Sequence, residues 1–271
     1  MTESVRTLAA LRRHIASLDR APAVQDAPRV AMGHAALDRM LGGGLARARV
    51  HELFGEGEEE GAAAGLGILL ASLAAGESPL LWLRSAVAER TGGVPYGPGL
   101  AALGIDPGRL LFGVMADDAM LLRAAVDALR CPALGALVIE LRGRAPLLDL
   151  TASRRLALAA EASGVTALLL RIGGAPVPSA AETRWRVSAA PSDPLPGNAP
   201  GMTAFHLHLL RRRSGSDGMA WRLVWDRERR VFGDGRDERH DFGSGSAGGD
   251  APLPGALVPL PADRSAADRA A

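Results

Sequence analysis

At 271 residues, with 48% hydrophobic but only 4% aromatic content, the chain is long enough to bury one large core built mainly from Leu, Ala and Val. Its formal charge of +1 hides an absence of lysine: all 31 basic residues are arginine, so no residue can serve as a phosphate-loop lysine. The single cysteine, Cys131, excludes an internal disulfide, and the longest run free of charged residues and histidine, Gly61 to Gly76, is shorter than the roughly 18 residues of a membrane span.

Residues 1–30 read as an arm. Leu8, Leu11, Ile15 and Leu18 recur at spacings of three and four, which predicts an amphipathic helix from Val5 to Leu18 with Arg12 and Arg13 on its wet side. This helix either packs back on the main body or docks on a partner. Leu8, Leu11, Arg12, Ile15 and Leu18 are its candidate contacts. The arginines at 6, 12, 13 and 20, with no apolar run between them, do not make a secretory leader, and a soluble cytoplasmic protein is expected.

Residues 31–232 carry the core. A short helix, Ala35 to Leu41, is stopped by a three-glycine turn suited to left-handed backbone. The strand Val50 to Phe54 then enters a Gly-rich loop, followed by a helix from about Ala62 to Ala75 and a buried strand, Leu80 to Leu83. A turn-rich stretch and a short helix ending near Leu103 lead to a strand from Arg109 to Met115. Asp117 and Asp118 cap a helix to Arg130, Leu134 to Glu140 is a strand, Thr151 caps a helix to Ser163, and Val165 to Ile172 is a strand. Cys131 is expected to be a small buried hydrophobe.

Strands and helices alternate, and the strands are continuous apolar runs, so the fold class is α/β: a mostly parallel sheet sandwiched by helices. Near the C-terminus the period changes to two. Phe205, Leu207 and Leu209 stand opposite His206, His208 and Arg211, and Met219, Trp221, Leu223 and Trp225 share a face, which predicts an antiparallel hairpin with one face buried. Residues 233–271 are rich in Gly, Ala and Pro and are expected to be a disordered tail. Within it Leu257 and Leu260, spaced among prolines, are candidate contacts for a partner.

The loop His51 to Gly65 has the layout of a nucleotide-binding phosphate loop without its chemistry. A working loop is GxxxxGK[ST], in which backbone N–H groups and lysine hold phosphate and the hydroxyl holds magnesium. Here five residues, not four, separate Gly55 from Gly61, with Gly57 inside the turn, and Ala62 and Ala63 occupy the Lys and Ser/Thr positions. Glu56, Glu58, Glu59 and Glu60 crowd the turn. A carboxylate about 6 Å from a phosphate charge costs roughly 3 kcal/mol at an effective dielectric of about 20, so several of them oppose triphosphate binding. No nucleotide, metal or other cofactor is expected. The glutamates are instead expected to satisfy the positive end of the following helix.

Glu140, ending its strand, stands where nucleotide hydrolases keep a magnesium-binding acid; an ion pair with Arg142 or Arg144 is its expected role. The preceding central strand ends in Arg84 and Ser85, with no carboxylate to activate water. No His/Cys cluster has metal-ligand spacing, and no nucleophile, base and orienting group occur together. Between Phe205 and Arg230 seven arginines outnumber three acids, and Arg211, Arg212, Arg213, Arg222, Arg229 and Arg230 are candidate contacts to DNA phosphate or to an acidic partner.

The segments LDRMLGGGLARARVHELFG, PYGPGLAALGIDPGRLLF and LGALVIE together resemble the RecA-like superfamily over Ala31 to Ser188. The departures are the loop without lysine or hydroxyl, Ser85 or a neighbour where a catalytic glutamate belongs, and Glu140 in place of aspartate. The two loops that would bind DNA, RGRAPLLD and GGAPVPSA, are too short to line a recombinase filament. With the N-terminal Leu/Arg helix, the GGGL turn, SAAETRWRVSAAPS (179–192) and WRLVWDRERRVF (221–232), the chain resembles the ImuA family of damage-induced mutagenesis accessory proteins.

That resemblance implies a non-catalytic accessory protein, induced in the SOS response, that acts in translesion DNA synthesis with an ImuB-like polymerase homologue and, through it or directly, a DnaE2-type polymerase. Two alternatives stay open: a diverged RecA-superfamily ATPase, and a regulator of recombinase filaments that contacts RecA.

Overall fold

The computed structural model describes residues 27–235, leaving out 56, 214 and 216 and the side chains of 58 and 198. The arm helix with Leu8, Leu11, Arg12, Ile15 and Leu18, and the tail with Leu257 and Leu260, lie outside the described residues.

The entry to the core is a small antiparallel ribbon, β1 (Arg29–Val30) with β2 (Leu45–Ala46), joined through α1 (Ala35–Leu41). Asp38 of α1 turns back to accept the Met32 and Gly33 N–H groups at 2.9 Å each, which fixes the angle at which the chain arrives. Gly42 ends α1 in the left-handed conformation, as the glycine run predicts. Gly44, at φ 117°, lies so close to β1 that an added Cβ would fall 2.6 Å from the Val30 carbonyl carbon.

Among the described residues one nine-stranded sheet follows. Its strands are β3 (Val50–Gly55), β4 (Leu80–Ser85), β5 (Leu110–Met115), β6 (Ala136–Arg142), β7 (Thr166–Ile172), β8 (Thr183–Ala190), β9 (Ala204–Arg212), β10 (Ala220–Asp226) and β11 (Val231–Gly233). The spatial order is β11-β10-β9-β8-β3-β7-β6-β4-β5; the pairs from β8 to β5 are parallel and those from β8 to β11 antiparallel. This is the expected α/β sandwich with its C-terminal hairpin, extended by β8, for which no strand was anticipated. Alternation in TRWRV is masked because Thr183, Arg184 and Trp185 are all buried.

The remaining helices are α2 (Glu60–Ala75), α3 (Ala86–Gly92), α4 (Gly97–Ala102), α5 (Asp118–Leu129) and α6 (Leu150–Ser163). Helix α2 lies on one face of the sheet over Leu53, Trp82, Val138, Leu168 and Leu170, and its Gly67 lets it sit flush: a Cβ there would strike the Leu170 side chain. Helices α5 and α6 cover the other face over Val50, Leu83, Leu137, Ile139 and Leu169. That cover stops short of the antiparallel wing, where one face packs through Trp185, Leu207, Leu209, Leu223 and Trp225 and the other, closed over Arg184 and Val224, is open at Arg186, His206 and Arg211.

Three local expectations need correction. Helix α2 starts at Glu60 and is preceded by a 3₁₀ turn, Gly57 to Glu59, so the loop is shorter than the glycine spacing implied. Asp149, not Thr151, caps α6, accepting the Ala152 N–H at 2.7 Å, because its carboxylate sits three residues ahead of that donor. Cys131 is exposed, in the turn that closes α5, where the helix has already left the core.

Candidate functional site

Gly55 ends β3 with no room for a side chain; an added Cβ would lie 2.7 Å from Ala63 Cβ and 3.0 Å from the Glu59 carbonyl oxygen. The chain therefore turns back on itself at once and winds into helix at Gly57. Glu59, at the N-cap position, makes no side-chain cap bond; its carboxylate accepts the Ala189 N–H of β8 at 2.6 Å. Glu60 leans the other way, to Arg142 at 2.8 Å. The carboxylates thus tie the start of α2 to both flanks of the sheet, and Glu60, in the first turn, still lies where the helix dipole favours an anion.

From Glu60 a chain of alternating charges runs inward. Arg142 bridges Glu60 and Glu140, the latter at 3.0 Å, and Glu140 pairs with Arg84 at 2.9 Å. The second oxygen of Glu140 accepts the indole N–H of Trp82 at 3.1 Å. Arg84 also donates to the carbonyls of Ala88 and Gly93, and its guanidinium lies 5.5 Å from the centre of the Phe112 ring. Burial works against the Arg142 charge, but the bonds to Glu60 and Glu140 more than reverse this and hold its pKa above the usual value.

Beside this chain lies a cavity of about 420 Å³ at the carboxyl ends of the parallel strands, lined in part by Trp82, Arg84, Gly92, Leu100 and Ile172. Its chemical capacity is narrow. Both oxygens of Glu140 are occupied by nitrogen donors, which leaves the carboxylate poorly placed to act as a base or a metal ligand. Thr91, on the cavity wall, donates its hydroxyl to the Val87 carbonyl at 3.0 Å, and Ser85 caps α3 by accepting the Ala88 N–H. Among the described residues no group of three or more His, Cys, Asp or Glu is placed to hold a metal ion.

Arg142 was one of the two partners expected for Glu140. The sequence reading missed Arg84 and Trp82, although an arginine inside LLWLRS, a strand otherwise apolar up to its final serine, was the available signal: a buried guanidinium requires an acid.

The arginine candidates separate. Arg212 donates to the Met40 carbonyl at the end of α1 and Arg230 to Ser72 of α2. Arg222 holds Pro191 and Asp193, and Arg229 is 3.8 Å from Asp226. Arg211 and Arg213 are exposed and make no ion pair with a described residue.

Behind the loop, β3 carries two buried polar residues that close the junction with β8. His51 accepts from or donates to Thr183 Oγ1 at 2.7 Å and bonds the Ala46 carbonyl at 2.8 Å, while Trp185 donates to the same Thr183 oxygen. A neutral ring with its proton on Nε2 satisfies all of these, and burial holds the pKa of His51 down at about 4. On the other face Glu52 lies 3.0 Å from Arg184, and burial raises its pKa against the pull of that charge.

No family model matches the chain. It is 32% identical over 212 residues to Protein ImuA of Caulobacter vibrioides, in each of two strains, with 70% of this chain and 81% of the relative covered.

Proposed function

We propose, from the premise that this chain belongs to the ImuA family, that it is a non-catalytic adaptor in SOS-induced mutagenic translesion synthesis. Its partners are an ImuB-like polymerase homologue and, through that protein or directly, a DnaE2-type polymerase. The observation that supports the adaptor reading is the charge chain Glu60–Arg142–Glu140–Arg84, in which the acid at the end of β6 and the acid in the first turn of α2 are both engaged by the chain's own guanidiniums. A fold whose phosphate loop is tied off internally keeps its rigid surfaces and is suited to holding partners together.

Two measurements test this. Titration with ATP and magnesium is expected to give no dissociation constant tighter than millimolar, and the full chain is expected to co-purify with an ImuB-like protein. The cavity at the strand ends favours a second reading, a diverged ATPase. Micromolar ATP binding with DNA-stimulated hydrolysis would establish that alternative and end the adaptor proposal.

A further inference from the structure

The open face of the antiparallel wing is built unlike the rest of the sheet. Strand register brings Arg186 of β8 opposite His208 of β9, and Ser188 opposite His206, which in turn faces Arg222 of β10. Between Arg184 and Trp185 the register slips, because Arg184 pairs with Arg211 while Trp185 pairs with Leu209, so Leu210 is an extra residue in β9. A bulge of this kind reverses the alternation beyond it. Arg212 is thereby turned to the packed face, where it reaches Met40, and Arg211 and Arg213 join His206 and His208 on the open one.

Three acids border that face and each is engaged: Asp226, at the end of β10, accepts the Glu228 and Arg229 N–H groups, Glu52 of β3 is buried against Arg184 with Arg211 also attracting its charge, and Asp193 at the margin is held by Arg222. Arg186, Arg211 and Arg213 are exposed and make no ion pair with a described residue. The face lacks the large apolar anchors on which protein partners depend, and offers two imidazole rings among guanidiniums on a flat sheet. Phosphates are complementary to the arginines, and unstacked bases to the rings.

We infer that the open face of β8–β9–β10, through Arg186, His206, His208, Arg211 and Arg213, binds single-stranded nucleic acid. The inference goes beyond the adaptor reading and stands separately from it, since loss of partner co-purification would leave this contact untouched.

The test is fluorescence anisotropy of a dye-labelled oligothymidylate of about 20 nucleotides with the full chain, between about 50 and 200 mM salt. Three arginine contacts give a log–log salt slope near −2, at about 0.7 per phosphate for single strands. Arg186→Gln with Arg211→Gln is expected to weaken binding at least about tenfold at low salt and to flatten the slope by about 1.4. His206→Ala with His208→Ala should weaken it at least about fivefold with the slope unchanged. Arg154→Gln with Arg155→Gln, on α6, should bind as wild type, and thermal melts of every variant should match the parent.

Binding without salt dependence, or wild-type binding by the Arg186/Arg211 variant, would overturn the assignment. So would tighter binding of polyglutamate than of the oligonucleotide to the same face, which would make it a surface for an acidic protein.

Discussion

Replacing Glu140 with glutamine separates a structural acid from a catalytic one. The Glu140 side chain is 3% exposed and that of Arg84 is 4% exposed, so the substitution strands a buried guanidinium that the Ala88 and Gly93 carbonyls solvate only in part. Removing one partner of such a buried pair costs about 3–5 kcal/mol. For a domain of this size that corresponds to a fall in melting temperature of roughly 6–20 °C.

Arg142 is 20% exposed, and its loss leaves Glu140 still held by Arg84 and Trp82, so Arg142→Gln should cost only about 1 kcal/mol. The assay is urea denaturation of the full chain with each single substitution, alongside ATP–magnesium titration. A Glu140→Gln protein as stable as wild type but altered in nucleotide affinity would refute the structural role. It would return Glu140 to the position of a metal-binding acid.

Three further outcomes follow from the same reasoning. His51 must be neutral to stay buried, so its contribution is complete above pH 6.5 and lost as pH falls from 6.5 to about 4, by up to about 3 kcal/mol; the difference in urea midpoints between wild type and His51→Gln across that window should show it, and a flat difference would contradict it. Gly44→Ala should destabilise by at least about 2 kcal/mol, since it places a side chain at φ 117° and against the Val30 and Ala31 backbone, whereas Gly57→Ala, with open space at its Cβ, should cost less in the same melt. Arg212→Met should lose about 2 kcal/mol by freeing the Met40 carbonyl at the end of α1, yet leave oligonucleotide anisotropy unchanged.

The elements that local patterns could specify are the ones the sequence reading recovered. Apolar runs alternating with helices led to a mostly parallel sheet, the three-glycine turn marked the stop of α1, and Phe205, Leu207 and Leu209 disclosed the buried face of β9. The loss of lysine and hydroxyl after Gly61 was legible because it is a matter of identity and position alone. Elements under tertiary control were harder to see. Strand β8 lacks a readable alternation because Thr183 and Arg184 are buried by partners, His51 and Glu52, more than 130 residues away in sequence.

The sequence by itself therefore determined the fold class, the order of most elements and the identity of the residues after Gly61, all of which rest on residue type and short-range periodicity. Tertiary structure alone decided where the charges go. The glutamates were expected to satisfy the positive end of α2; Glu60 does lie in its first turn, but which groups Glu59 and Glu60 bond, Ala189 and Arg142, was set by the sheet, because parallel strands set side by side segments that are far apart in the chain. The arginine run 211–213 reads as one basic patch, yet a single extra residue in β9 sends Arg212 inward and leaves Arg211 and Arg213 outside. Register between strands is a long-range property, and it is register that separates a structural arginine from one free to meet a ligand.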